Sequence, residues 1–268
     1  MHHKKLYTQI RQKCHALLER GFLSLVQILP DSIWLAAREQ VTVVRRMDYT
    51  NRDVSIYIDS LNEISRAHSC KKEPGTVRWI EDFFKEGDVF YDIGANIGQY
   101  SLIAAKFLNN NVRIYAVEPH PSSYMKMCKN ILLNECGSSI MPAAIALSDK
   151  TNFNTFNYRY MVEGSSGHAL GAPLDSHDVN FDPLGAHEVL SCRLDDFISV
   201  FKLPVPNHIK IDVDGIEFMI LMGAADTLAD SQLRTILVEL EKSDDETARV
   251  TELLATKGFK LDSKREGR

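Results

Sequence analysis

From Glu73 onward, short apolar runs rich in Val, Ile and Tyr alternate with stretches whose apolar positions recur at helical spacing. The runs that predict strands are residues 89–93, 112–117, 140–147, 208–213 and 235–240, with 259–261 as a sixth. Taken together they lack clean alternation between polar and apolar, the pattern of parallel strands covered on both faces. Helices are expected over 98–108, 122–134, 194–201, 217–228 and 244–257, with Asp88 and Gly137 as boundary residues. This alternation predicts an α/β fold, a doubly wound parallel sheet with helices on both faces.

Two segments stand outside the alternation. In residues 1–70, Leu6, Ile10, Leu17, Leu18, Phe22, Leu25 and Ile28 fall at roughly helical spacing, and residues 40–44 read as a short strand. The expected organisation is therefore a largely helical N-terminal extension over 1–70 and a main domain over 71–268. Within the main domain, residues 151–189 are rich in Asn, Gly, Ser, His and Asp and contain Pro173 and Pro183. They are expected to form a long polar loop, assigned to the substrate side because loops of that length in compact domains serve function.

Composition narrows the partners. A chain of 268 residues, 44% hydrophobic and 25% charged, can bury a full core. Its formal charge of −5 supplies no overall attraction for nucleic acid or an anionic membrane, so a small or polar substrate is the expectation. Five scattered cysteines without a C-x-x-C pair read as free thiols in a reducing compartment. The apolar run 22–29 falls well short of the roughly 20 residues needed to span a bilayer. Arg20 and Glu19 precede it and no small-residue cleavage site follows, so a cytoplasmic location is expected.

The distinctive residues gather at predicted strand ends, where open parallel sheets bind ligands. The first strand runs into Asp92-Ile93-Gly94-Ala95-Asn96-Ile97-Gly98, and its glycines permit a tight turn and a close approach to a ligand. The spacing satisfies neither the dinucleotide nor the phosphate-loop motif. Asp92 before the first glycine would repel a pyrophosphate and attract a ligand carrying an ammonium and a sulfonium. The helix start beyond it can accept that ligand's carboxylate. This favours S-adenosylmethionine over NAD. Glu118-Pro119 ends the second strand, where a carboxylate can take the two hydroxyls of a ribose. The fourth strand ends in Lys210-Ile211-Asp212-Val213-Asp214-Gly215-Ile216-Glu217. Asp212 and Asp214 share one face, and with Glu217 they can orient a cofactor, accept a proton or hold a divalent ion.

Each reading has a plainer counterpart: a β–α turn with a helix cap for the glycine loop, a solvated helix-entry acid for Glu118, caps for the late acids, and an ion-pair partner for Lys210. His168 in the polar insert is the best histidine candidate for a base, against an idle loop histidine. His120 either packs near an adenine or marks the helix entry. His177, His187 and His208 form no recognised metal spacing, and Met125, Met127, Met219 and Met222 read as core fillers.

The segments VFYDIGANIGQYS, YAVEPHPSSYMKMCKNILLN, KIDVDGIEFMILMGA and ILVEL, in this order and spacing over residues 73–240, resemble the FkbM family of class I methyltransferases. The resemblance implies a Rossmann-like sheet, S-adenosylmethionine as methyl donor, and a hydroxyl of a sugar or natural product as acceptor. By position, Asp92, Gly94, Asn96 and Gly98 match the cofactor loop, Glu118 the ribose acid, and Asp212, Asp214 and Glu217 the late acidic motif. Glu73 and Thr76 match the preceding helix, and Ala95, Pro119 and Ala146 complete the expected cofactor set. Asp214 stands where many relatives carry Glu. The chain ends soon after the sixth expected strand, whereas this fold usually finishes with an antiparallel hairpin. The expected reaction is O-methyl transfer by direct displacement, with Asp212, Asp214, Glu217, His168 and Lys210 as candidates around the reacting atoms. A divalent metal is admissible but not expected. N- or carboxyl-methyl transfer would use the same cofactor residues, and a silent cofactor-binding or protein-interaction module is the reading from another class.

Overall fold

The computed structural model describes residues 21, 24, 28–175, 177, 179–240 and 244–262; the helical spacing expected from Leu6 to Leu25 lies outside nearly all of them. The chain divides into two compact units, Met1–Val43 and Val44–Arg268. The first contains α1 (Asp31–Gln40), which begins directly after Pro30.

The second unit starts ahead of the boundary expected near residue 70. Its first strands, β1 (Val44–Arg46) and β2 (Ser55–Tyr57), pair antiparallel, so the short strand expected over 40–44 lies later and shares only Val44 with it. Next come α2 (Leu61–Arg66), α3 (Ser69–Lys72) and α4 (Pro74–Phe83). Ser60 and Glu63 close a capping box at the start of α2, each satisfying a backbone N–H of the other. Pro74 occupies the first turn of α4, where its missing N–H costs no helical bond.

The Rossmann-like core then alternates β3 (Val89–Ile93), α5 (Gln99–Phe107), β4 (Arg113–Val117), α6 (Pro121–Leu133) and β5 (Ile140–Ala143). Strands β6 (Ala146–Leu147), β7 (Asn152–Tyr158), β8 (Ala169–Leu170) and β9 (Gly185–Cys192) follow. The chain continues through α7 (Leu194–Phe201), β10 (His208–Ile211), α8 (Glu217–Met222), a 3-10 turn at Thr227–Ala229, β11 (Thr235–Val238) and α9 (Asp244–Thr256).

Five strands form one all-parallel sheet in the order β11-β10-β3-β4-β5. Strand order reverses between β3 and β10, where the register sets Lys210 beside Asp92. Alternation sends Tyr91 and Ile93 to one face, under Leu194, Phe197, Ile220, Leu221 and Val250 of α7, α8 and α9. On the other face Phe90 meets Trp79 of α4, and Asp92 meets Ser101 of α5. Below the sheet, His208 bridges Asp88 at 2.9 Å and Thr235 at 2.7 Å, while Phe84 stacks on its ring at 4.0 Å. Burial lowers the pKa of His208 to about 4, so it ties β3, β10 and β11 together as a neutral ring.

Four expectations change. Residues 140–147 split, because β5 ends the parallel sheet and β6 pairs with β9 in a second, four-stranded sheet. Part of the expected polar loop belongs to that sheet: β7 pairs antiparallel with β9 from Asn152↔Ser191 to Tyr158↔Gly185, while the stretch between β7 and β8 and that between β8 and β9 stay outside the strands. Phe156, Tyr158 and Val189 pack beside Ala146, and the polar residues Asn152, Asn154, Thr155 and Asn157 interspersed along β7 hide the strand in the sequence. Residues 259–261 are not a strand. The helix from Glu217 also stops early, at Gly223, where a Cβ would lie 2.1 Å from the Ser148 carbonyl oxygen. Cys70, Cys128, Cys136 and Cys192 are free thiols, and among the described residues no helix is long and apolar enough to cross a membrane.

Asn130 of α6 is fully buried and joins two regions: it accepts from Tyr57 N at 2.9 Å and donates to Ile97 O at 3.0 Å. Asn130→Ala would strand a donor and an acceptor, at about 1–3 kcal/mol each, so a loss of about 2–6 kcal/mol is expected in denaturant unfolding. Wild-type stability in that variant would show that water replaces both bonds.

Candidate functional site

The carboxyl ends of β3, β4, β10 and β11 open onto one pocket at the switch point. Backbone bonds extend the ladder one residue past three of these strands: Glu118 N to Ala143 O, Asp212 N to Ile93 O and Glu239 N to Ile211 O. Each fixes an acidic residue just beyond its strand.

The loop after β3 is held from below and behind. Gly94 N and Ala95 N both donate to Val117 O, and Gly94 adopts φ +77° against the chain at Asp212. A Cβ there would sit 1.9 Å from the Asp212 carbonyl oxygen, so only glycine lets β3 and β10 meet. Gly98, at φ +87°, instead makes room for Met127 of α6. Asn96, also left-handed, donates from its backbone N to Glu118 Oε2 at 2.8 Å and from Nδ2 to Ser165 O at 2.8 Å.

Glu118 is buried, and its other oxygen accepts from His120 N at 2.9 Å. Burial pushes its carboxyl up to about 7, against the pull of these two N–H donors. Each oxygen retains a lone pair for a ligand. His120 caps α6 through Ser123 N, the helix-entry reading.

Beneath the pocket, buried Lys210 reaches Asp212 Oδ2 at 2.6 Å and lies 3.9 Å from Asp92 Oδ1. Asp92 Oδ2 accepts from Ser101 Oγ at 2.6 Å. Burial raises the pKa of Asp92 despite Lys210, whereas for Asp212 the Lys210 charge and hydrogen bond outweigh burial and hold the carboxyl below its ordinary range. Lys210 is thus the ion-pair partner of these acids and does not line the pocket.

Glu73, Asp212 and Glu239 each place an oxygen within 4.8 Å of the other two, a set that could hold a divalent cation. Tyr100 donates to Glu73 at 2.6 Å. Burial and the neighbouring charge of Asp212 push Glu239 up to about 8. Across the mouth, Asp214 Oδ2 accepts from Gly167 N at 2.6 Å and His168 N at 3.2 Å, and Arg66 donates twice to Gly164 O. Residues 164–168 are therefore strapped to the pocket from both sides.

The structure gathers Glu73, Gly94, Asn96, Glu118, Pro119, Ala146, His168, Asp212 and Asp214 around the pocket. Asp92 and Lys210 lie under it, and Ala95 and Gly98 shape its loop. Thr76 and Glu217 do not line it; buried Glu217 accepts from Gly215 N and is pushed up to about 8 by burial. His168 does line it but is a poor base. Its Nδ1 accepts from Arg159 N at 3.3 Å, Nε2 engages Ser165 Oγ at 3.1 Å, and burial lowers its pKa to about 3. Sequence reasoning passed over Arg66, Gln99 and Glu239, which also line the pocket. Glu239 carried the same strand-end signal as Glu118, and Gln99 stands directly after Gly98.

A parallel sheet with a glycine-cradled, acid-lined pocket at its switch point defines a nucleotide-type ligand domain. Residues 92–261 match the FkbM methyltransferase domain, and the chain belongs to that family and is a methyltransferase. It is 25% identical over 203 residues to the hexuronic acid methyltransferase AglP of Haloferax volcanii, covering 74% of both chains. Among solved structures it resembles the FkbM methyltransferase of Methylobacillus flagellatus (18% identity, TM-score 0.45, 64% of this chain), of which it spans 38%. It also resembles a precorrin-6y C5,15-methyltransferase of Geobacter metallireducens (14% identity, TM-score 0.41, 70% of this chain and 71% of that one).

Gly94→Ala combines left-handed strain of about 1–3 kcal/mol with a backbone overlap of similar cost. A loss of about 2–6 kcal/mol is expected in chemical denaturation, and an unchanged midpoint would show that the two strand ends do not meet as described.

Proposed function

We propose that this methyltransferase takes its methyl group from S-adenosylmethionine and delivers it to a hydroxyl oxygen of a sugar. The observation that carries this reading is the ring of carboxylates, Glu73, Glu118, Asp212, Asp214 and Glu239, around the Gly94 cradle. Such a lining disfavours a pyrophosphate and favours a ligand with an ammonium and a sulfonium. The residues present fit that cofactor. Gly94 presents bare backbone on the lining, and Glu118 has a lone pair on each oxygen for the two ribose hydroxyls. When bound, S-adenosylmethionine supplies an electrophilic methyl group open to in-line displacement.

The chain's own groups bind, orient and deprotonate. Residues 164–168 wall the acceptor side, held by Asp214, Asn96 and Arg66. Glu239 is the proton acceptor in this reading: it lines the pocket, and its carboxyl titrates near neutrality. His168 and Asp214 are already committed to backbone N–H groups. The sugar acceptor is supported by the Haloferax volcanii relative, which is named for a hexuronic acid. A hexuronic acid also offers a carboxylate, and the cations Arg66 and Lys72 on the same lining favour methyl-ester formation as the second reading.

Transfer of labelled methyl to neutral sugars and uronic acids separates these outcomes. An ether label survives mild alkali, an ester label is released, and no transfer despite tight cofactor binding would identify a silent module. Glu239→Gln should lower kcat by about 10²–10⁴-fold and remove the rise in rate through about pH 8. An unaltered pH profile would remove Glu239 from that role.

Glu118 gives a second pH signature. Ribose hydroxyls donate to the ionised carboxylate, so binding lowers its pKa and is favoured at high pH. Calorimetry with S-adenosylhomocysteine should show affinity increasing as pH rises through about 7, and Glu118→Gln should weaken binding and flatten that dependence. A flat wild-type profile would place the ribose elsewhere.

A further inference from the structure

The corner between β3 and α5 contains more hydrogen-bond acceptors than it satisfies. Asp92 Oδ1, Asn96 Oδ1 and Gln99 Oε1 are all buried without a hydrogen-bond partner. A buried polar atom left unpaired costs about 1–3 kcal/mol, and the Asn96 and Gln99 amide oxygens, close in the chain to a carboxylate oxygen that has only a long ion pair with Lys210, are a concentration that folding alone does not favour. Asn96 cannot turn its oxygen away, because Nδ2 is engaged with Ser165 O. Gln99 is 4% exposed, lines the pocket and is the first residue of α5.

We propose that Gln99 is the residue that reads the amino-acid end of the cofactor, its side-chain oxygen accepting an N–H of the primary ammonium while the start of α5 faces the adjoining carboxylate. This rests on the cofactor reading above and deepens it. The inventory of donors decides the ligand's chemistry. An ammonium brings three N–H groups and no acceptor, which suits side-chain oxygens that have no donor of their own. A sugar hydroxyl brings one proton and adds another oxygen, so it leaves the deficit largely unrelieved. Asn96, on the same lining, offers the second oxygen. Asp92 contributes charge from underneath, where its Oδ1 makes no hydrogen bond and is held only by the 3.9 Å ion pair with Lys210.

The test compares two ligands that share a nucleoside and a thioether but differ in the amino-acid end, S-adenosylhomocysteine and 5′-methylthioadenosine. Binding to the full chain is measured by calorimetry. Gln99→Leu should weaken S-adenosylhomocysteine about 10- to 100-fold, the range for a hydrogen bond to a charged group, and leave methylthioadenosine within about twofold. Gln99→Glu should bind S-adenosylhomocysteine at least as tightly as wild type, because it keeps the acceptor and adds a charge. Equal losses for both ligands would mean that the change damages the corner, and unchanged affinities would mean that Gln99 touches neither; either result overturns the assignment. A loss in Gln99→Glu as large as in Gln99→Leu would also overturn it, since the amide would then be donating to the carboxylate. If wild type binds neither ligand, the cofactor reading itself fails and takes this proposal with it.

Discussion

A lysine without access to water holds the two halves of this sheet in register. Lys210 sits beside Asp92 across the β10–β3 ladder and is bonded to Asp212 two residues along its own strand. Burial alone would drive it towards the neutral amine, but Asp212 and Asp92 keep its pKa above the ordinary lysine value. Removing one member of such a set leaves uncompensated charge in a poorly solvated place, which is why its geometry is specific even where its net contribution to stability is small. The rest of the site is arranged around this cation: the loop above Asp92, the carbonyl of Asp212 against Gly94, and Glu239 at the rim.

The local charge balance follows from that centre. Five carboxylates line the pocket, with Arg66 and Lys72 as the cationic side chains among the described lining residues. Burial and mutual repulsion raise Glu118 and Glu239 to about 7 and 8, so the pocket can relieve its charge by taking up protons. The formal charge of −5 for the whole chain conveys nothing of this concentration.

What could be read from the sequence was what local rules dictate. Gly94 and Gly98 have little freedom in type, because both take positive φ and Gly94 meets the Asp212 carbonyl, and the parallel strands announced themselves by apolar-rich runs, although Lys210 interrupts that of β10. Glu118 and Asp212 were legible as strand-end acids. Glu239 escaped although it follows the same rule, since nothing local distinguishes it from a solvated turn residue until β11 is set beside β10. Arg66 was out of reach for another reason: α2 lies in a stretch assigned to the extension, and only pairings such as Ser55 N and Tyr57 N with Asn134 and Asn130 bring that stretch to the core. Composition misdirected the reading of residues 151–189, where Asn and Thr interspersed along β7 concealed a strand. His168 looked like a base by residue type and location. Its neighbours commit both ring nitrogens, which no spacing along the chain reveals.

The second sheet is joined to the core through one gate. β6 and β9 lie side by side, with Ala146 beside Ser191 and Leu147 beside Cys192, so the chain leaves and returns at adjacent positions. A segment attached in this way behaves as a cassette: it can be lengthened, recoloured or exchanged without redirecting the strands that carry the glycine loop. Its inner end, from Ser165 to Leu170, nonetheless reaches the pocket wall. Selection could therefore retune what the pocket admits through this cassette alone, leaving the loop from Asp92 to Gly98 untouched.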